Sequence, residues 1–334
     1  MNKYSIILPL KNGGEYARSC VNSILAQTYC DYNLIILDNC SSDDNLHWLR
    51  NLHDNRIIIH TSALPLLIEE NWARIKLVDK NEFMTMIGHD DILHPHYLET
   101  MERLIVKHPT ASLYQTHFDY INVNGELLRA CKPMEEIMNA AGFISAQCLQ
   151  SLDSSGSGYM MRSDDYNLLG GIPTNYPGFI FADYELWINL IRMGYLATSA
   201  ENCFAYRLNQ SASQKMEAEK YQKSFFHYLD FLEEIMAKDD GCKKAIEQDG
   251  IHLFNYYCRS LSHRLLKSPY NYRKTRIRQF VNKCKKYAEF MVPDHPFYPY
   301  TNPSILAALI LDNRPGIWLF KKIRKYVKSS SQNR

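Results

Sequence analysis

Four short runs of apolar and β-branched residues punctuate the first ninety positions: Tyr4 to Leu8, Leu34 to Leu37, Arg56 to His60 and Phe83 to Ile87. Each is too short to stand as a helix and is bounded by turn-forming residues, so each reads as a strand. Between them the apolar positions recur at intervals of three and four. Ala17, Cys20, Val21, Ile24 and Leu25 make one such face, and Trp72, Ile75 and Val78 make another on a helix over 69–78. Strand and helix alternate, which predicts parallel crossovers and an open α/β sheet whose ligand loops lie at the carboxyl ends of the strands.

Beyond Pro95 the pattern changes. Leu98, Met101, Leu104 and Ile105 predict a helix over 95–107, residues 112–115 a strand, and Phe118 to Arg129 a hairpin in which Asn124-Gly125 suits a two-residue turn. Leu186, Trp187, Leu190 and Ile191 share a helical face that Gly194 is placed to end. Residues 215–238, 242–266 and 272–290 read as helices, and prolines at 293, 296, 299 and 303 impose a loop after them. The last stretch holds an apolar run from Ile305 to Leu311, then Trp318-Leu319-Phe320 beside Lys321, Lys322, Arg324, Lys325 and Lys328. That tail suits an interfacial anchor on a membrane surface, and equally a helix docked on its own domain with a solvated basic face.

Bulk properties narrow the field. With 334 residues, a formal charge of +2 and 22% charged residues, nothing points to nucleic acid as a partner. Nine cysteines, odd in number and without a CxxC pair, suit free thiols in a reducing compartment rather than a disulfide framework or zinc site. The first residues already read as a strand rather than a leader, and no run approaches the roughly 20 apolar residues of a spanning helix. The expected location is therefore cytoplasmic, with peripheral attachment to the inner face of the cell membrane as the tail's first reading.

The chemistry gathers at strand ends. Asp90 and Asp91 follow the fourth strand in Gly88-His89-Asp90-Asp91. Two adjacent carboxylates at a buried strand end are costly unless a cation or several donors offset them, which points to a divalent metal holding phosphates. A solvated turn before a helix is the competing explanation. Asp38 closes the second strand with no Lys or Arg in its own loop, a fit for a base N–H or a ribose hydroxyl, or for a turn cap. No GxGxxG follows the first strand and no GxxxxGK[ST] occurs, which argues against a dinucleotide-binding dehydrogenase and a P-loop enzyme.

Three segments carry a resemblance: Ser5-Ile6-Ile7-Leu8-Pro9-Leu10-Lys11-Asn12-Gly13, then Cys20 to Tyr29 with its Ser-Ile-Leu-Ala-Gln-Thr-Tyr ending, then Leu37 to Asp43. Together they resemble the opening of the family 2 glycosyltransferases, and Glu70-Asn71-Trp72 and Gly88 to Asp91 fall at that family's spacing. The fold this implies is an α/β GT-A nucleotide-binding sheet flanked by helices, with a C-terminal helical extension. Its domains would be a catalytic 1–213, divided into a nucleotide-sugar half at 1–110 and an acceptor half at 111–213, and a helical 214–334.

The resemblance implies transfer of a sugar, with inversion, from a nucleotide-sugar donor, preferably UDP-linked, to a hydroxyl of a glycan or lipid-linked oligosaccharide in bacterial surface polysaccharide assembly. It places Pro9, Leu10, Asn12 and Asn71 near the nucleotide sugar, Asp38 on the base and His89 at the donor. Asp90 takes the metal-ligand position for Mn²⁺ or Mg²⁺, with Asp91 beside it. Asp183 matches the presumed catalytic base that opens the helix of Leu186 and Trp187, and Arg207 matches an arginine near the donor diphosphate in Tyr206-Arg207-Leu208-Asn209. The pattern departs at Gly88, where the family has its first Asp, at Ala182, where it has Glu, and at Asn209, where it often has His. Those departures motivate one rival, a nucleotide-sugar-binding protein with an impaired site. The other rival is a nucleotidyltransferase, although the first loop offers a single lysine, Lys11.

Overall fold

The computed structural model describes residues 2–208 and 217–332. They fold as two compact units, one comprising Met1–Phe143 and Ser151–Gln214, the other Ile144–Gln150 and Lys215–Arg334.

The first unit is built on a mixed sheet. Strands β1 (Tyr4–Leu10), β2 (Tyr32–Asp38), β3 (Ile57–Thr61) and β4 (Phe83–Met86) lie parallel in the order β3-β2-β1-β4. They alternate with helices α1 (Gly14–Leu25), α2 (Asn45–Asn51) and α3 (Ile68–Ala73). β1 is buried along its whole length, as a central parallel strand covered on both faces requires. Ile6, Leu8, Ala17, Val21, Leu98 and Met101 meet in the core beside it.

The predicted helix over 69–78 is α3 followed by a 3₁₀ turn at Arg74–Leu77, a tightening of its last residues. After a two-residue strand β5 (Ile92–Leu93) comes α4 (Tyr97–Lys107), which starts two residues past Pro95.

The other side of the sheet holds β6 (Leu113–Ile121), β7 (Leu127–Ala130), β8 (Ile137–Met138), β9 (Met160–Arg162) and β10 (Leu196–Arg207), with helices α5 (Ala140–Cys148), α6 (Ser163–Leu168) and α7 (Ala182–Met193). β9 runs antiparallel between β4 and β6, whereas β6 and β10 pair in parallel. The hairpin forms, but with three residues rather than two at its tip. Asn122 and Glu126 close it, and Gly125, at φ +85°, takes the left-handed position that ends a type I turn. β6 is nine residues long and β10 twelve, both longer than the apolar pattern suggests, because β10 absorbs a register shift around Asn202.

The second unit is helical: α8 (Ala218–Met236), α9 (Asp240–Lys267), α10 (Ile277–Met291), α11 (Pro303–Ile310) and α12 (Arg314–Gln332). Phe225, Leu232, Phe254, Leu261 and Phe280 are buried in it. Residues 144–150 join this unit through side chains that no local pattern reveals: Tyr228 donates to Gln147 and Ser145 to Asp249. Arg273 and Asp312 form a buried ion pair at 2.7 Å, and Asp312 also receives the N–H of Ile277 at the start of α10. All nine cysteines are free thiols. No helix among the described residues is long and apolar enough to cross a membrane.

Candidate active site

At the carboxyl edge of the sheet the loops after β1, β2 and β4 are stitched together. Asn12 takes a left-handed backbone, its N–H donates to the Ser41 hydroxyl and its side-chain oxygen receives the N–H of Ser42. Pro9 and Leu10 are buried inside β1, and the Leu10 carbonyl receives the N–H of Asn39. Asp38 is fully buried, with the N–H of Ser41 directed at its carboxylate. It also has a cationic neighbour that its own loop does not supply. Arg74, just past α3, donates to the Asp38 backbone carbonyl and to Asn71.

Asn71 is a brace, not an open ligand: its amide donates to the Leu37 carbonyl, its oxygen is taken by Arg74, and it is 4% exposed. Asn39, which the sequence reading passed over, grips Leu66 through both its amide groups and holds the loop before α3.

After β4 the chain turns at Gly88, and a Cβ there would lie 3.0 Å from an Asp91 oxygen and 3.1 Å from an Asp90 oxygen. The glycine in place of the family's first Asp is thus what lets both carboxylates gather under the turn. His89 is half-buried, its ring 3.0 Å from where a Cβ on Gly13 would stand.

The two aspartates then part ways. Asp91 is 2% exposed, accepts the Ser157 hydroxyl at 2.6 Å and the Arg207 N–H at 2.9 Å, and burial aided by the charge of Asp90 pushes its carboxyl well above the usual range. Its oxygens are therefore committed to the protein, whereas Asp90 lines the open cleft. Among the described residues no group of three or more His, Cys, Asp and Glu side chains converges on one point.

Arg207 also differs from expectation. Instead of offering an open fork to phosphate, it donates through Nε to the Asp90 carbonyl and through Nη1 to the hairpin carbonyls of Asn122 and Val123, and it stacks on Tyr16 of α1. It is a strut for the Asp90 turn. Asn209, Ser211 and Ser213, the remainder of that segment, lie outside the described residues.

Asp183 stands in the first turn of α7 and shares a cleft of about 190 Å³ with Asp90, lined also by Trp72, Ser157, Phe179 and Tyr206. Asp38 is absent from that lining and lies two strands along the sheet edge. The approach to α7 is strained. Gly178, Phe179 and Phe181 all have positive φ, costly for bulky side chains and a recurrent mark of functional sites. The strain is held by Glu69, which receives the Gly178 N–H, by Phe179 against Trp72 at 5.8 Å, and by Tyr176 donating to Glu185. Ala182 is fully buried.

Burial raises the Asp183 carboxyl to about 6, although the Tyr184 N–H, 3.0 Å away, pulls the other way. Desolvation outweighs the N–H groups at the start of α7, and a carboxyl near 6 is still ionised at neutral pH. The loop at 154–158 bridges the two acids, with Gly156 against Asp183, Ser157 on Asp91, and the Ser155 carbonyl receiving the Trp187 indole N–H. Ser157 is the residue that sequence reasoning missed, and only the third dimension puts it beside Asp91.

The chain is similar to known proteins in sequence and in fold. Residues 5–169 match the model of glycosyl transferase family 2. A UDP-Glc:α-D-GlcNAc-diphosphoundecaprenol β-1,3-glucosyltransferase, WfgD of Escherichia coli, is 24% identical over 70% of this chain and 88% of its own. The structure of S. aureus TarS 1-349 with UDP-GlcNAc superposes with a TM-score of 0.66 at 12% identity, over 96% of this chain and 92% of that one. A mannosyltransferase from Pyrobaculum calidifontis, solved with GDP-Man and Mn²⁺, gives 0.50 at 11% identity over 98% and 86%. The chain belongs to the family 2 glycosyltransferases and has the GT-A fold, with a helical C-terminal region.

Proposed function

We propose that this glycosyltransferase transfers a sugar with inversion from a UDP-linked donor to a hydroxyl of a lipid-linked glycan, in stepwise assembly of a surface polysaccharide. The observation that carries the reading is the shared cleft of Asp90 and Asp183, in which one acid would serve the donor diphosphate and the other the acceptor. The donor and acceptor classes are supported by WfgD, whose name specifies UDP-Glc and a diphosphoundecaprenol-linked sugar, and by UDP-GlcNAc in TarS. A cytoplasmic location is supported by the nine unpaired thiols.

A carboxylate near pKa 6 is ionised at neutral pH yet basic enough to take the proton of a hydroxyl that acidifies as it attacks. Asp183 receives that proton while the acceptor oxygen closes on the anomeric carbon and the bond to the diphosphate breaks on the far side. Ser157 and Arg207 hold the Asp90–Asp91 turn rigid, and Trp72 and Phe179 present an apolar wall that limits water, the competing acceptor. Asp90 would hold Mn²⁺ or Mg²⁺, a fit for hard cations that take one carboxylate and complete their shell with water and substrate phosphates. Bound there, the cation supplies charge to offset the departing diphosphate. Asp38, at the end of β2, is assigned to the nucleobase.

Calorimetric titration with UDP, with and without Mn²⁺, tests the reading together with Asp183→Asn. UDP is expected to bind in a metal-dependent way to both proteins, with transfer lost in the variant. Metal-indifferent binding would remove the cation from the donor site, and full activity in the variant would remove Asp183 from the chemistry.

A further inference from the structure

The second unit ends in a surface that its own core does not use. On α12, Ile317 is buried, yet the neighbouring Trp318 is 62% exposed and Ile323 54% exposed, with Leu319 open to solvent beside them. On the preceding α11, Ile305 and Ala308 are buried while Leu306 and Ile310 face outward. An indole and four aliphatic side chains are thus left in water across two consecutive helices. Scattered apolar residues need no explanation, but this set has a charge pattern attached to it.

From Arg314 to Arg334 the sequence has seven Lys and Arg and no Asp or Glu. Lys322 sits over the Trp318 ring, 4.7 Å from its centroid. Between Trp318 and Tyr270 lies an open cleft of about 260 Å³ that Arg314 and Lys321 also line. Arg276 covers the Tyr270 ring at 3.5 Å, adding another cation to that wall.

We infer that the outer face of α12 docks on an anionic bilayer surface, with Trp318, Leu319 and Ile323 entering the headgroup boundary and the basic side chains meeting lipid phosphates. An apolar face alone would suit a second copy of the chain as well. A run of seven cations without one acid would repel its own copy, and it complements an anionic leaflet. Tryptophan at the junction of the two faces has the amphipathic ring that settles at headgroup depth. The inference stands on this surface and is independent of the transfer chemistry.

The test is co-sedimentation of the full chain with vesicles of pure phosphatidylcholine, and of phosphatidylcholine with phosphatidylglycerol, at low and high salt. Partitioning is expected to be at least about tenfold stronger on the anionic vesicles and to fall steeply with salt, since each surface cation adds to it and is screened beyond a Debye length. Lys321→Glu/Lys322→Glu should cut it by about tenfold or more. Trp318→Ser/Ile323→Ser should weaken it while leaving the helical circular-dichroism signal and its thermal transition unchanged, which reports that the helical unit carrying the substitutions is folded. Lipids brominated near the headgroup should quench wild-type fluorescence and leave Trp318→Phe unquenched. Equal partitioning of wild type and both double variants, or no preference for anionic vesicles, overturns the inference. Sedimentation of the lipid-free chain as a dimer that Trp318→Ser/Ile323→Ser dissociates overturns it too, by assigning the face to a second copy.

Discussion

Asp183 is held in a position that costs the fold and serves the chemistry. Its carboxyl is raised to about 6 from an ordinary 3.8 by desolvation, so the native state takes up a proton that the unfolded chain does not hold between those values. Its favourable contribution is therefore complete below about 3.8 and is lost as pH rises through about 6. Asp183→Asn escapes that loss. We expect the variant to be more stable than wild type at pH 7.5, by about 1–2 kcal/mol once solvent access to the cleft is allowed for, with the gap closing as pH falls toward 4. Chemical denaturation at a series of pH values measures it, and a variant less stable at pH 7.5 would contradict it. The same ionisation predicts that transfer falls tenfold per pH unit below about 6, whereas UDP affinity varies less steeply, and a kcat profile flat to pH 5 would exclude Asp183 as the base. The identity of this residue was legible from its place at the head of the Leu186–Trp187 face. Its acidity was not, because its burial depends on a cleft that side chains as distant in sequence as Trp72 and Ser157 also line.

Among the elements, short apolar runs and regular helical faces are legible in the sequence, whereas a strand broken by polar residues is not. β1 and β4 are buried end to end and β2 everywhere but at Asn33, so their sequences are nearly unbroken apolar runs. β10 carries Ser199, Ala200, Glu201 and Asn202 through its register shift, which hides a twelve-residue strand behind a polar interruption. The 154–158 loop shows the same limit at the site. Gly158 lies at φ +80° with the Phe204 ring 2.9 Å from where a Cβ would sit, and its N–H donates to the Met86 carbonyl, so the loop is anchored to β4 directly below the acids. Ser157 then supplies the hydroxyl that satisfies Asp91. Ser157→Ala leaves that buried carboxylate short of a donor, a cost of about 1–3 kcal/mol, and loosens the turn that presents Asp90. UDP affinity in the presence of Mn²⁺ should drop severalfold while Ser157→Thr, which keeps the hydroxyl, retains it. If the alanine variant binds UDP as wild type does, the loop has no part in placing Asp90.

At the scale of the molecule, the parallel half and the mixed half of one sheet bring together residues from both ends of the first unit, while the second unit keeps a core of its own. That the second unit takes up the chain from Lys215 accords with the helical patterns beyond that point. The inclusion of 144–150 in the second unit follows from no such pattern, because it depends on Gln147 and Ser145 reaching side chains roughly eighty to a hundred positions away. Because donor binding is assigned to the first unit alone, calorimetry can separate the two. With Mn²⁺ held constant and UDP added at about a hundredfold its dissociation constant, the unfolding free energy of the unit holding Asp90 should rise by about 2.7 kcal/mol over the protein with Mn²⁺ alone, since ligand that binds only the native state stabilises by mass action. A chelator should remove most of that gain, because a carboxylate and a diphosphate without a cation between them repel. Asp90→Asn should behave like the chelated wild type whatever metal is added. Should UDP raise the transition equally with chelator, or equally in Asp90→Asn, the donor is held without a cation on Asp90 and the diphosphate must be neutralised by other groups of the same cleft.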